Sequence, residues 1–189
     1  LGGGIYWCEQ KKESKNTCSN APGSVFALKL FEATQDSSFF REGVRLYEWT
    51  KQHLQDPADG LYWDNIGLNG HIGKAKFSYN AGQMLQASAL LYKFTKDQKY
   101  LLDAKQIARS AQQYFFQKTD KAAFPLLKNG NIWFHAVMLR GVIELYKQDQ
   151  DRALVDLFVN NLEYAWKNMR DADGLIDTDW QLQEKNTSK

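Results

Sequence analysis

The sequence predicts an all-α fold made of helical hairpins. Apolar residues recur at helical spacing in several stretches, of which the clearest is Leu101, Ala104, Ala108, Ala111 and Phe115. The alternation typical of half-buried strands is almost absent, and only 3 prolines interrupt the chain. The 189 residues are 43% hydrophobic and 24% charged, which is the balance of a globular domain with a core of its own.

The individual helices follow from the same spacing. The first is expected to begin after Asn20, because Pro22 then occupies a favoured early-helix position. Three further stripes of apolar residues indicate later helices: Phe40, Val44 and Tyr47; Met84, Ala87, Leu91 and Phe94; and Leu154, Phe158, Leu162, Ala165 and Met169.

The helices also repeat along the chain. Three segments share an aromatic residue, an Asp five positions later and an apolar residue three further on: KLFEATQDSSFF, LLYKFTKDQKYL and ELYKQDQDRALV. Their aromatic residues are Phe31, Tyr92 and Tyr146, which lie 61 and 54 residues apart. A period of this size is typical of stacked helical hairpins, in which no unit buries its apolar face alone.

Three such hairpins can extend as an open solenoid or close into a ring. A closed ring of six, the (α/α)6 toroid, needs roughly 330 residues at this repeat length. The sequence therefore predicts half of an (α/α)6 toroid, with one partial domain over residues 1–180 and a polar tail over 181–189. We expect an exposed apolar patch at the open edge, on the outer side of the first hairpin.

Composition argues against several classes of partner. The net charge is +2 and no basic run occurs, so no nucleic acid is expected. No apolar stretch approaches the roughly 20 residues that span a bilayer. His53, His71 and His135 form no i, i+4 pair, which disfavours a metal site, and no cofactor is predicted. Cys8 and Cys18 are too few for a disulfide framework, and whether they pair is left open.

The segment LGGGIYWCEQKKESKNTCSN resembles part of a binding site. Its glycines give backbone freedom for a sharp turn or a close approach. Trp7, Lys15, Asn16 and Asn20 combine an aromatic ring with amides and an ammonium group, which can stack on a ligand and hydrogen-bond its edges. Helix caps are the alternative role for the two asparagines.

Five segments together carry a resemblance to a known family. GGGIYW, Lys15-Asn16, SNAP, DGLYWD and FSYNAG occur in the order seen in glycoside hydrolase family 76, the α-1,6-mannanases. The later IWFHAVMLRGVIELY is similar to the family's last Phe…Arg…Leu helix. One departure is Asn65, since the family usually has Gly after the Asp that matches Asp64.

The resemblance implies a retaining endo-α-1,6-mannanase with an (α/α)6 barrel, an α-mannan substrate and an extracellular, cell-surface or periplasmic location. The family's catalytic pair of adjacent aspartates precedes the GGG segment, and no two Asp residues are adjacent in this chain. We therefore expect the C-terminal half of such an enzyme, with no catalytic residue, inactive alone and partnered by its N-terminal half. The implied substrate-binding residues are Trp7, Lys15, Asn16, Asn20, Asp64, Tyr79 and Asn80.

Two other functions stay open on the residues alone. The chain fits a non-catalytic helical-repeat module that binds glycan or protein, because it lacks an adjacent carboxylate pair. It also fits another toroid hydrolase in which Asp64 acts as acid or base, although Asp64 follows a DG turn and such an Asp often binds only backbone amides. Asn80 fits a helix cap as well as a site residue.

Overall fold

The structure is a computed structural model that describes residues 1–176. Within this range it contains six α-helices: α1 Thr17–Thr34, α2 Ser37–Leu54, α3 Ser78–Thr95, α4 Gln98–Phe115, α5 Ile132–Asp149 and α6 Ala153–Asn168. Five short strands accompany them: β1 Ser14–Asn16, β2 Trp63–Gly67, β3 Ile72–Lys76, β4 Phe116–Gln117 and β5 Leu126–Leu127. The predicted boundary at residue 180 and the polar tail over 181–189 lie outside the described residues.

The repeat seen in the sequence marks the turn of each hairpin. Three residues in the left-handed conformation end α1, α3 and α5, namely Gln35, Lys96 and Gln150. Their N–H groups donate to the carbonyl oxygens of the three repeated aromatic residues, Phe31, Tyr92 and Tyr146. Asp36 and Asp97 then cap α2 and α4 by accepting the N–H of the residue two positions on. The three predicted hairpins are confirmed.

The helices form two layers. α1, α3 and α5 lie side by side, and each of α2, α4 and α6 packs on its own hairpin partner. α3 and α5 make the closest contact, because Gly82 and Gly141 meet at their crossing. A Cβ on Gly82 would lie 2.4 Å from the Cα of Met138, so no larger residue fits there without movement. The apolar core lies between the layers.

The strands were not predicted. β1, β2 and β3 form one antiparallel sheet, in which Asn16 pairs with Asn65 and Ile66 with Ile72. These strands have three to five residues, and both faces of β2 are partly buried, so they carry no alternating pattern. The sheet joins the segment before α1 to the segment before α3, which places those two helix starts together.

The first helix begins earlier than predicted. α1 begins at Thr17, so Asn20 and Pro22 both lie within it. Pro22 cannot donate the bond that a helical N–H normally gives to the carbonyl four residues back. The prediction of a helix start after Asn20 is wrong because the N-terminal residues pair with the sheet rather than forming a loop up to that point.

The exposed apolar surface differs from the expectation. On the first hairpin, Phe26 is the exposed large apolar residue, at 66%. Residues 1–5 run over this hairpin, and a Cβ on Gly4 would lie 2.6 Å from the indole of Trp49. The third hairpin exposes more apolar side chains: Ile143, Val159, Leu162 and Trp166. None of the described helices has the length and apolar character that crossing a membrane requires.

Candidate functional site

The N-terminal ends of α1, α3 and α5 lie at the same end of their layer. We call these three helix starts, together with the β1–β2–β3 sheet, the rim. The Thr17 hydroxyl donates to the carbonyl oxygen of Trp63 at 2.5 Å, which ties α1 to β2. The rings of Phe77 and Phe134 lie 5.9 Å apart between centroids, which ties the start of α3 to that of α5. The rim therefore collects side chains from distant parts of the sequence.

Asp64 lies beside Cys18 and Tyr79 at the centre of the rim. Burial raises the pKa of the Cys18 thiol, and the negative charge of Asp64 raises it further. Burial likewise raises the pKa of the Tyr79 hydroxyl, with Cys18 and Asp64 adding to the effect. Both groups stay protonated at neutral pH, so both are hydrogen-bond donors next to a carboxylate.

Asn65 holds that carboxylate in place. Its Nδ2 donates to Asp64 Oδ2 at 2.9 Å. Asn65 also packs against the opposing strand, because a Cβ on Gly73 would lie 2.7 Å from Asn65 Nδ2. The residue that departs from the family pattern thus orients the acidic group at the rim.

A cluster of aromatic rings lies next to Asp64. Tyr79 lies 4.3 Å from Phe134 and 6.4 Å from Trp133 between ring centroids, and Phe77 stacks on Tyr79 at 5.6 Å. Trp133 is 60% exposed. Sequence reasoning missed Trp133 and Phe134 as site residues, although IWFHAV at the start of a helix was the available signal. An exposed indole beside polar groups suits the C–H face of a sugar ring.

Trp7 lies at the edge of the sheet. Its N–H donates to the Ser14 carbonyl at 3.1 Å, and Tyr6 pairs with Lys15, so residues 6–7 extend the sheet beyond β1. The Trp7 side chain is 62% exposed. The structure therefore presents a second open aromatic surface, with β1 between it and β2.

Lys15 points inward instead of toward solvent. Its side chain is only 4% exposed, and its Nζ donates to the carbonyl oxygens of Leu1, at 2.8 Å, and Gly3. The same ammonium lies 4.7 Å from the ring centroid of Tyr6. Burial lowers the pKa of Lys15, and the positive charge of Arg45 lowers it further. Lys15 thus holds the glycine segment against the first hairpin.

Asn20 has the same internal role. It is fully buried, accepts the N–H of Ile5 at 2.6 Å and donates to the Ile5 carbonyl at 2.9 Å. Its Nδ2 also donates to the carbonyl of Asn16 at 2.8 Å. Asn20 is therefore not a helix cap. Asn16 occupies the N-cap position of α1 without a side-chain capping bond, and its Oδ1 accepts the Ser14 hydroxyl at 2.8 Å.

Asn80 is buried without a partner. It is the third residue of α3 and is fully buried, and neither its Oδ1 nor its Nδ2 has a hydrogen-bond partner in the described part of the chain. Gln83 Oε1, one turn further on, is also buried and unpaired. An unmade bond at a buried polar group costs about 1–3 kcal/mol, so these amides mark a place where another group is expected. Asn80 is not a cap, because Phe77 occupies that position.

Among the described residues, the thiols and the other metal-binding residue types form no further centre. Cys8 and Cys18 are both free thiols, which answers the question that the sequence left open. Over residues 1–176, no three side chains of the His, Cys, Asp or Glu type come close enough to hold a metal ion.

Comparison with known proteins identifies the family to which this chain belongs. The family model described as "Glycosyl hydrolase family 76" matches residues 1–189. Mannan endo-1,6-alpha-mannosidase DCW1 of Candida glabrata is 31% identical over an alignment of 103 residues, and the match covers 50% of this chain and 23% of that protein.

Solved structures are similar over nearly the whole chain. A family 76 glycoside hydrolase from a bovine Bacteroides thetaiotaomicron strain has a TM-score of 0.91 and 34% identity, covering 97% of this chain and 42% of that one. An inactive variant of the Salegentibacter α-1,6-mannanase in complex with α-1,6-mannotetrose has a TM-score of 0.82 and 31% identity, covering 95% and 56%.

The coverage agrees with the predicted architecture. The chain spans about a quarter of the curated relatives that it matches and about half of these solved structures. The prediction of helical hairpins forming half of an (α/α)6 toroid is confirmed. With the family model matched from its first to its last residue, this chain belongs to glycosyl hydrolase family 76.

Proposed function

We propose that this chain supplies the sugar-binding rim of a glycoside hydrolase that cleaves α-1,6-linked mannan. The observation that carries the proposal is the position of Asp64 beside Tyr79, whose ring adjoins the exposed Trp133. This combination offers a carboxylate and neutral donors to sugar hydroxyls, and an aromatic plane to the C–H face. Similar proteins support the choice of glycan, because one was solved with α-1,6-mannotetrose.

The predicted site residues, together with Trp133, divide into two roles in this proposal. Trp7, Tyr79 and Trp133 stack on sugar rings, while Asp64 and the unpaired amide of Asn80 hydrogen-bond hydroxyl groups. Lys15 and Asn20 act one step away from the sugar, since their polar atoms already bind the chain's own backbone. Asn16 lies between the two sets of residues: it precedes α1, which contains Asn20, and it pairs across the sheet with Asn65, the residue next to Asp64.

The reaction itself is assigned to residues outside this chain. A retaining glycosidase needs two carboxyl groups about 5–5.5 Å apart, one as nucleophile and one as acid and base. We propose that the adjacent aspartates expected from the family lie in the other half of the fold, so that this chain alone does not turn over mannan. An extracellular, cell-surface or periplasmic location belongs to the same proposal.

The partner half is proposed to dock on the third hairpin. α5 and α6 expose Ile143, Leu162 and Trp166. Between these helices lies a small, wholly apolar depression, lined by Leu127, Ile132, Ala136, Leu139, Phe158 and Leu162, with His135 at its side. Large exposed apolar faces mark protein interfaces. The solved relatives support this occupant, because this chain covers only 42% to 56% of their length.

The test is calorimetric binding of α-1,6-mannotetrose to the isolated chain. Asp64→Asn should weaken binding by at least about tenfold, since a carboxylate that accepts hydroxyl protons is lost. Asp97→Asn is the matched control, because Asp97 caps α4 at the opposite end of the layer and Asn caps equally well. Equal affinities for wild type and Asp64→Asn, or no binding at millimolar sugar, would refute the rim as the glycan site.

A further inference from the structure

A cavity separate from the rim lies between the second and third hairpins. Its volume is about 220 Å³, and it is open to solvent on one side and lined by the middle of α4, the last turns of α5 and the first residues of α6. The rim lies at the opposite end of α5, at its N-terminus. The described residues that line the cavity all belong to these two hairpins.

The cavity has an apolar floor and a polar wall. Ala108, Val142 and Leu145 are buried in its floor. Arg109 and Gln112 stand one helical turn apart on the wall formed by α4, and neither side chain has a hydrogen-bond or ion-pair partner in the described part of the chain. Their guanidinium and amide groups are therefore available as donors, and the Gln112 carbonyl as an acceptor.

The charges that line the cavity balance. Lys105 pairs with Asp149 at 3.5 Å, and the Asp149 side chain is only 6% exposed. Asp151, across the opening, offsets the charge of Arg109. With two cations and two carboxylates, the cavity gives no net attraction to an anion or to a cation. An uncharged ligand with one apolar face and a hydroxyl-bearing edge fits this lining best.

We propose that this cavity binds one neutral pyranose ring, as a second carbohydrate site. The C–H face of the ring rests on Val142 and Leu145, and its hydroxyl groups accept from Arg109 and donate to Asp149. The volume lies below the roughly 300–1,000 Å³ of pockets for drug-sized ligands, which limits the site to a single ring. The assignment does not depend on whether the rim binds mannan, because the two sites share no residue.

The test is a titration of the isotopically labelled chain with methyl α-D-mannopyranoside, followed by nuclear magnetic resonance. We expect saturable shifts at the backbone amides of residues 105–112 and 145–151, with a dissociation constant in the millimolar range. The double variant Arg109→Ala with Gln112→Ala should weaken this binding by about tenfold or more. Arg41→Ala is the matched control, since Arg41 is exposed on α2, away from the cavity. Unfolding curves check that each variant folds.

One further variant and two further ligands complete the test. Trp133→Ala should leave the shifts at residues 105–112 unchanged, because Trp133 lies on the rim. Inorganic phosphate and glycine, as charged and zwitterionic probes, should shift these amides less than the sugar does. The proposal is overturned by the absence of saturable shifts in a folded protein, by unchanged binding in the double variant, or by stronger binding of either charged probe.

Discussion

A Cβ placed on Gly141 would lie 2.3 Å from the carbonyl oxygen of Gly82, so α3 and α5 touch backbone to backbone. This contact sets the distance between the helices whose first turns carry Tyr79 and Trp133. Helices with ordinary side chains at the crossing stay 8–10 Å apart. The separation of two rim aromatics is therefore fixed by two glycines, of which Gly82 lies about one turn from Tyr79 and Gly141 lies near the middle of α5.

Gly141→Ala should destabilise the fold, because the added methyl group collides with the backbone of α3. Overpacking of this kind costs about 1–3 kcal/mol or more in the free energy of unfolding. Chemical denaturation measures it. Gly2→Ala is the control, since a Cβ on Gly2 meets nothing within 4 Å, and its effect should stay within about 0.5 kcal/mol. Equal stability of the two variants would contradict the contact.

Asn20→Ala should release the N-terminal segment from the first hairpin. The substitution removes both bonds to Ile5 and leaves backbone groups unpaired, which costs about 1–3 kcal/mol. We also expect faster hydrogen exchange at the amide of Ile5. Asn160→Ala, on the exposed face of α6, is the matched control and should leave that exchange rate unchanged. If hydrogen exchange at Ile5 stays slow in both variants, Asn20 does not hold the N-terminal segment in place.

Trp133→Ala should weaken binding of α-1,6-mannotetrose by about 1–2 kcal/mol, because the proposed stacking surface is lost. Fluorescence or calorimetric titration measures the affinity. Trp166→Ala is the control, since Trp166 is exposed to a similar extent, 57% against 60%, but lies on α6, in the other helix layer. A larger loss for Trp166 than for Trp133 would place the glycan on α6 rather than on the rim.

Stability should fall as the solution is acidified through the range in which free histidine titrates. Burial lowers the pKa of His135, and its bond to the Lys128 carbonyl opposes this only in part. Below about pH 6.5 the unfolded chain therefore takes up a proton that the folded chain does not. The stabilisation is present above that pH and is lost as the pH falls through the lowered pKa of the folded state.

The measurement compares unfolding free energies at about pH 7.5 and about pH 5. His135→Gln should reduce the difference between the two, because the titrating group is gone. His71→Gln is the control, as His71 is exposed at the tip of the β2–β3 turn, and it should retain the full difference. If the free energy of unfolding depends on pH identically in wild type and His135→Gln, titratable groups other than His135 cause the pH dependence.

The sequence by itself determined the hairpins. Phe31, Tyr92 and Tyr146 mark the same position in the last turns of α1, α3 and α5, where the backbone carbonyl accepts the bond that ends the helix, and a turn formed by neighbouring residues leaves a local pattern. The apolar stripes predicted the helix faces for the same reason, since a helix repeats every 3.6 residues whatever its neighbours are. Half of a ring followed from counting these units.

Only the tertiary structure decided what the candidate site is made of. Trp133 joins Tyr79 because α5 crosses α3 at Gly82 and Gly141, a contact between distant segments that leaves no periodic signal. Lys15 and Asn20 resembled ligand-binding residues, but their polar atoms bind the backbone of residues 1–5. The chemical type of a side chain determines which hydrogen bonds it can make. Which atoms come close enough to make them is determined only by the packing of the folded chain.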